Sequence, residues 1–130
     1  MRNAANVAVL TAKQCYKINL NYSDDSVEKV EQALCKIHEE YLSSKNKNQE
    51  GLHGLSIMFG AYIGEVLKKE KGVGYWGKDH PVFGKNCFPL YWNDNDCAFP
   101  VDWCLKRIIN GPEDNVVHKY KILTKGKTNT

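Results

Sequence analysis

The sequence predicts a single α+β domain, and three observations predict it. A nearly uninterrupted apolar run from Gly51 to Leu67 has helical periodicity, two further amphipathic stretches are bracketed by helix start and stop residues, and after Val73 the pattern changes to short strand-like segments separated by turns. Helices and strands are thus segregated along the chain, as in α+β architectures. The expected arrangement is N-terminal helices packed on a small antiparallel sheet, with a hairpin at about 87–99 and a further C-terminal helix.

At the N-terminus, Ala5, Ala8, Val9, Ala12 and Cys15 recur at helical spacing and predict a first helix over Asn3 to Cys15. Lys17 to Tyr22 alternates polar and apolar residues and fits a short strand or an extended lead-in. Ser23 to Ser26 supplies N-cap chemistry, and Asp25 with Glu28 three residues later makes a capping-box-like start. The helix that follows carries Val27, Val30, Leu34, Ile37 and Tyr41 on one stripe. Ser43 to Glu50 is polar throughout and reads as a solvated loop.

The Gly51–Leu67 helix belongs at the centre of the domain. Leu55, Met58, Phe59, Tyr62, Ile63 and Val66 share one broad arc, while Ser56, Gly60 and Gly64 form an i, i+4, i+8 stripe of small side chains that admits a close neighbour. Its one Asp, Glu, Lys or Arg is Glu65, at the flank of the arc, where a carboxylate needs a cationic or hydrogen-bonding partner. Cations at Lys68, Lys69 and Lys71, followed by Gly72, stop the helix.

Val73 to Trp76 reads as a strand, followed by a loop through Asp79, His80 and Pro81, then Cys87 to Trp92, a turn at Asn93 to Asp96, and Cys97 to Phe99. Pairing Trp92 with Cys97 would place Phe88, Leu90, Trp92, Cys97 and Phe99 on the core face and Tyr91 and Ala98 on the other. Pro100 opens a helix with the stripe Val101, Cys104, Leu105 and Ile108, and Asn110-Gly111-Pro112 stops it. Asn115 to Leu123 is compatible with a closing strand or a helix. The domain is expected over 1–123 with a flexible tail at 124–130; neither an internal repeat nor a linker is visible.

A chain of 130 residues with 42% hydrophobic and 25% charged residues can bury a core without a staple. A net charge of +3 is too small to mark a nucleic-acid binder. Without a secretory h-region or a membrane-length apolar stretch, a soluble cytoplasmic protein is expected. The 5 cysteines, Cys15, Cys35, Cys87, Cys97 and Cys104, are odd in number and irregularly spaced, which favours free thiols over a disulfide framework or a zinc site. No metal and no cofactor is expected. His80 between Asp79 and Pro81 reads as a loop histidine in preference to the base of a thiol nucleophile.

The succession Asn19-Leu20-Asn21-Tyr22-Ser23, Ser26-Val27, Gly60-Ala61-Tyr62-Ile63-Gly64-Glu65, a Trp soon after, Phe99-Pro100, Lys106-Arg107, Asn110-Gly111 and Asp114 resembles a family of small bacterial cytoplasmic domains of unknown function. Asn21 stands where the resemblance leads one to look for aspartate. Members of this general sort are often met beside polymorphic toxins or in accessory genes, so the resemblance implies a fold and a compartment and carries over no catalytic residue.

The residues themselves support several functional readings. The first is a protein-binding module, such as an immunity protein that neutralises a toxin, with a contact surface at Tyr91, the turn Asn93, Asp94, Asn95 and Asp96, and His80 in the neighbouring Gly77–Asn86 loop. A second is a small enzyme using Glu65 as general acid or base. A third is an RNA-binding accessory protein, with Tyr75, Trp76 and Tyr91 beside Lys78 or Lys85 as a stacking platform. For Glu65 a structural role is favoured, with Arg107 the first choice of partner and Lys106 or a Trp or Tyr donor as alternatives. The run Gly72 to Gly77 lacks the lysine and the strand-turn-helix setting of a phosphate loop.

Overall fold

The computed structural model describes residues 1–44 and 49–124. Among these residues it contains helices α1 (Arg2–Tyr16), α2 (Ser26–Ser43), α3 (Gln49–Lys71), α4 (Pro100–Asn110) and α5 (Val116–Thr124), and strands β1 (Tyr75–Trp76), β2 (Leu90–Tyr91) and β3 (Cys97–Ala98). Of the expected tail at 124–130, Thr124 is instead the last residue of α5 and the rest lies outside the described residues; of the expected Ser43–Glu50 loop, Ser43 belongs to α2 and Gln49 and Glu50 to α3, and 45–48 lie outside the described residues. The α+β class and its order, helices first, a small antiparallel sheet next and helices last, are those the sequence predicts.

α3 is the axis of the molecule, as its composition requires. Phe59, Ala61, Tyr62, Ile63, Val66 and Leu67 are fully buried, with α1 packed on one side and α4 on the other. α1 turns Ala5, Ala8 and Ala12 inward, and this methyl-sized face allows the two helices to approach closely. The small stripe of α3 serves two neighbours. A Cβ on Gly60 would lie 2.5 Å from the Val101 Cα, so here α3 meets the backbone of the first turn of α4. A Cβ on Gly64 would overlap the Trp76 ring, so glycine makes the socket for that indole.

Two N-terminal expectations are refined. Lys17 to Tyr22 forms no strand; it runs extended, with Ile18 and Leu20 inward, between left-handed Lys17 (φ 57°) and Tyr22 (φ 62°). The α2 capping box is not made either, because Asp25 gives no side-chain cap. Instead Ser26 Oγ donates to the Ser23 carbonyl (2.6 Å), and Asp24 accepts a bond from the Tyr120 hydroxyl (2.6 Å) that ties α5 to the entry of α2. Asn115 to Leu123, which periodicity left open, is helical from Val116, with Val116, Val117 and Tyr120 inward.

The sheet is a three-stranded meander, β1-β2-β3. Its register is shifted by one from the expected one: Tyr91 pairs with Cys97 and Leu90 with Ala98. Leu90 and Ala98 therefore face the core together, and Cys97 lies with Tyr91 on the outer face. The shift arises at the turn, where Asn93 Oδ1 accepts the N–H groups of Asn95 (2.8 Å) and Asp96 (2.7 Å) and Trp92 donates to the Asp96 carbonyl, which draws Trp92 into a five-residue connection. Gly77 to Pro89 is not an irregular loop. Bonds from Gly77 N–H to Pro89, from Phe88 N–H to Lys78, and in both directions between His80 and Gly84 extend β1 and β2 into a finger.

α4 begins at Pro100 and stops at Gly111, whose φ of 105° suits glycine. Its Cys104 is fully buried, and burial pushes this thiol far above the ordinary cysteine range, with the Glu31 carboxylate adding to the shift. All five cysteines are free. Titration with a thiol-specific chromogenic reagent is expected to give five thiols after unfolding, while the folded protein withholds at least Cys104; full and rapid reaction of the native protein would show that α4 opens readily.

Candidate functional site

Glu65 projects from the flank of α3 and its side chain is 10% exposed. Oε2 accepts the Trp76 indole N–H at 2.8 Å and pairs with Lys68 at 3.2 Å. The expected Glu65–Arg107 pair is absent. Arg107 lies one layer away on α4 and binds Glu31 of α2 through Nε at 2.7 Å. The Trp donor named as an alternative is the one used, since Gly64 seats the Trp76 ring against α3 with its N–H directed at the next residue. The same seat turns one edge of the Trp76 ring, which the stacking-platform reading names, against α3.

Around Glu65 the surface is concave. One cavity of about 220 Å³ is lined by Arg2, Asn6, Tyr22, Glu65 and Lys69, and a second of about 320 Å³ by Arg2, Glu65, Lys68, Lys69 and the backbone turn Gly72 to Gly74. Tyr22 forms the wall between this cleft and the core. Its N–H donates to the Tyr62 hydroxyl (2.7 Å), its ring lies 4.7 Å from that of Tyr62, and its own hydroxyl donates to Asn6 Oδ1 (2.6 Å). Ser26 has given its only proton to Ser23, so Tyr62 donates to Ser26 Oγ at 2.6 Å. This chain holds Tyr22 in a left-handed conformation that costs roughly 1–3 kcal/mol in an ordinary residue. Burial raises the pKa of the Tyr22 phenol, with Tyr62 and Glu65 adding to the shift. Arg2, Asn6, Tyr22 and Lys69 come from three separate segments, and no spacing in the sequence links them as one site.

The residues of the expected contact surface are placed as follows in the fold. Tyr91 is half-buried and stacks on Tyr75 with centroids 5.4 Å apart, so Tyr75, which is 50% exposed, is the outer ring of the pair. Asn93 and Asp96 are occupied in holding their own turn, with Asn93 Nδ2 donating to Asp96 Oδ2 at 2.7 Å, while Asp94 and Asn95 are exposed. His80 is structural as well. Its Nδ1 accepts the N–H groups of Val82 (3.1 Å) and Phe83 (3.3 Å), and its ring packs against Phe83 and Phe99. What His80 supports is a finger tip on which Val82 is 79% and Phe83 66% exposed. A cavity of about 360 Å³ between Phe83, Cys87, Phe99, Asp102 and Lys106 lies beneath it. The sequence signal for the tip was Pro81-Val82-Phe83-Gly84, a turn with apolar residues at its apex.

Among the described residues there is no group of three or more His, Cys, Asp or Glu that could hold a metal ion, and no helix is long and apolar enough to cross a membrane. Comparison of the chain with protein-family models, curated proteins and solved structures finds no match.

Proposed function

We propose that the chain is a protein-binding module whose contact surface is the finger tip at Val82 and Phe83 together with the outer Tyr75–Tyr91 stack. One observation carries this reading: two adjacent large apolar side chains stay mainly in solvent, Phe83 resting by part of its ring on His80 and Phe99, on a tip whose backbone is held by the His80–Gly84 bridge and two bonds to His80 Nδ1. Burying those side chains in the fold would have been favourable, and holding them rigidly outside lowers the entropy cost of docking them in a partner. Exposed aromatic anchors of this kind commonly carry interface energy. The family resemblance makes a toxin the partner of first interest and an immunity protein the corresponding role.

The test is a pull-down from the native cell with wild type beside the double variant Val82→Ser/Phe83→Ser. Both side chains are mainly solvent-facing, so melts should differ by about 1 kcal/mol or less. A specific protein retained by the wild type and lost by the variant is the expected result. Should that protein be a toxin, co-expression with wild type and not with the variant should restore growth. Recovery of no specific protein, or equal recovery by both, counts against this surface.

A further inference from the structure

The Glu65 cleft is separate from the finger and has the chemistry of a small-ligand site. Its two cavities share Arg2, Glu65 and Lys69, and they bring together residues of α1, the turn before α2 and the end of α3. Three cations line it against one carboxylate. Lys68 is already paired with Glu65, which leaves Arg2 and Lys69 without an ion-pair partner among the described residues. A site with two uncompensated cations suits a dianion, and the planar guanidinium beside a lysine is well adapted to phosphate oxygens.

The rest of the cleft is suited to hydroxyl groups. Trp76 and Lys68 both engage Oε2 of Glu65, while Oε1 makes no hydrogen bond among the described residues. Asn6 uses Oδ1 to accept from Tyr22, and its amide NH₂ is likewise without a protein partner among the described residues. An acceptor and a donor are thus placed in the cavity that also holds both free cations, and neither can be withdrawn without breaking the Trp76 or the Tyr22 bond. The strained Tyr22 backbone is what keeps this wall in position.

We propose that this cleft binds a small hydroxylated phosphate monoester, with the phosphate held by Arg2 and Lys69 and a hydroxyl of the ester donating to Glu65 Oε1. The proposal is independent of the protein-contact surface on the finger.

Binding can be followed by phosphorus NMR and calorimetry at low ionic strength, with glycerol phosphate and inorganic phosphate as the probes and chloride as the ionic control. The expected result is saturable binding of glycerol phosphate with a Kd below about 1 mM, weakened about tenfold or more in Arg2→Ala and in Lys69→Ala. Lys69 and Arg2 are exposed, so both variants should melt as wild type. Glu65→Gln removes a negative charge beside the phosphate and releases Lys68, so inorganic phosphate should bind as well as or better than to wild type while the preference for glycerol phosphate over inorganic phosphate falls, an outcome that a purely structural Glu65 would not produce. Absence of saturation up to about 10 mM of either probe, or equal binding by wild type and both cation variants, would overturn the proposal. Vesicles of phosphatidylcholine containing phosphatidate present the same group on a surface. Co-sedimentation with them in the absence of binding to the soluble ester would also overturn it, in favour of a membrane headgroup.

Discussion

Glu31→Ala is expected to destabilise the protein by about 3–5 kcal/mol, the range for breaking a buried ion pair from one side. Arg107 is 2% exposed, and its Nε donates to Glu31 Oε2 at 2.7 Å. Glu31 Oε1 at the same time accepts the backbone N–H of Val116 at 3.1 Å, so one carboxylate joins α2, α4 and the start of α5. Arg107 Nη1 is already buried without a partner among the described residues, and removing the carboxylate would leave the guanidinium with an uncompensated charge as well. Denaturant unfolding gives the size of the effect through the midpoint. A double variant, Glu31→Met/Arg107→Met, removes both charges and should recover much of the loss, because the penalty belongs to the orphaned arginine. A change below about 1 kcal/mol for Glu31→Ala would mean that water reaches Arg107 once the carboxylate is gone.

Phe59→Ala is expected to cost about 3–5 kcal/mol as well, by a different mechanism. Phe59 is fully buried on α3, the helix against which α1 and α4 pack, so truncation leaves a cavity bounded by helices that cannot close on it independently. Ile63→Val, which removes one methylene from another fully buried position of α3, should cost only about 0.5–1.5 kcal/mol. Thermal melts of the two variants side by side give the comparison. Equal small losses from both would show that α3 is packed loosely enough to relax.

These two sites differ in how visible they are before the chain is folded. Phe59 could be placed in the core because helical periodicity is a property of consecutive residues, and six apolar side chains on one arc have few other places to go. Glu31 could not be singled out, because it occupies an unremarkable position on the polar side of an amphipathic stripe, and its role comes from Arg107, 76 residues away. The conspicuous carboxylate was Glu65, and the arginine nearest in pattern was Arg107, yet α3 and α4 cross so that Arg107 turns toward α2 instead. Glu65 was satisfied by an indole that its own neighbour, Gly64, makes room for.

By itself the sequence determined the α+β class, the centrality of α3, the small stripe at Gly60 and Gly64, and the start and stop of α4 at Pro100 and Gly111. All of these depend on local spacing, on side-chain volume or on the special backbone chemistry of proline and glycine, which act over a few residues. The tertiary structure alone decided the pairing of Arg107 with Glu31, the hairpin register set by the Asn93 side chain, the finger that carries Val82 and Phe83 into solvent, and the cleft where Arg2, Asn6, Tyr22 and Lys69 meet Glu65. Partner choice among polar groups is settled by which few donors and acceptors lie within hydrogen-bond reach once the helices have packed, and that reach is only about 3 Å. A helix need rotate or slide by little more than that distance to exchange one partner for another, while its buried apolar face stays buried, so the pattern that specifies the core leaves the polar pairs undetermined.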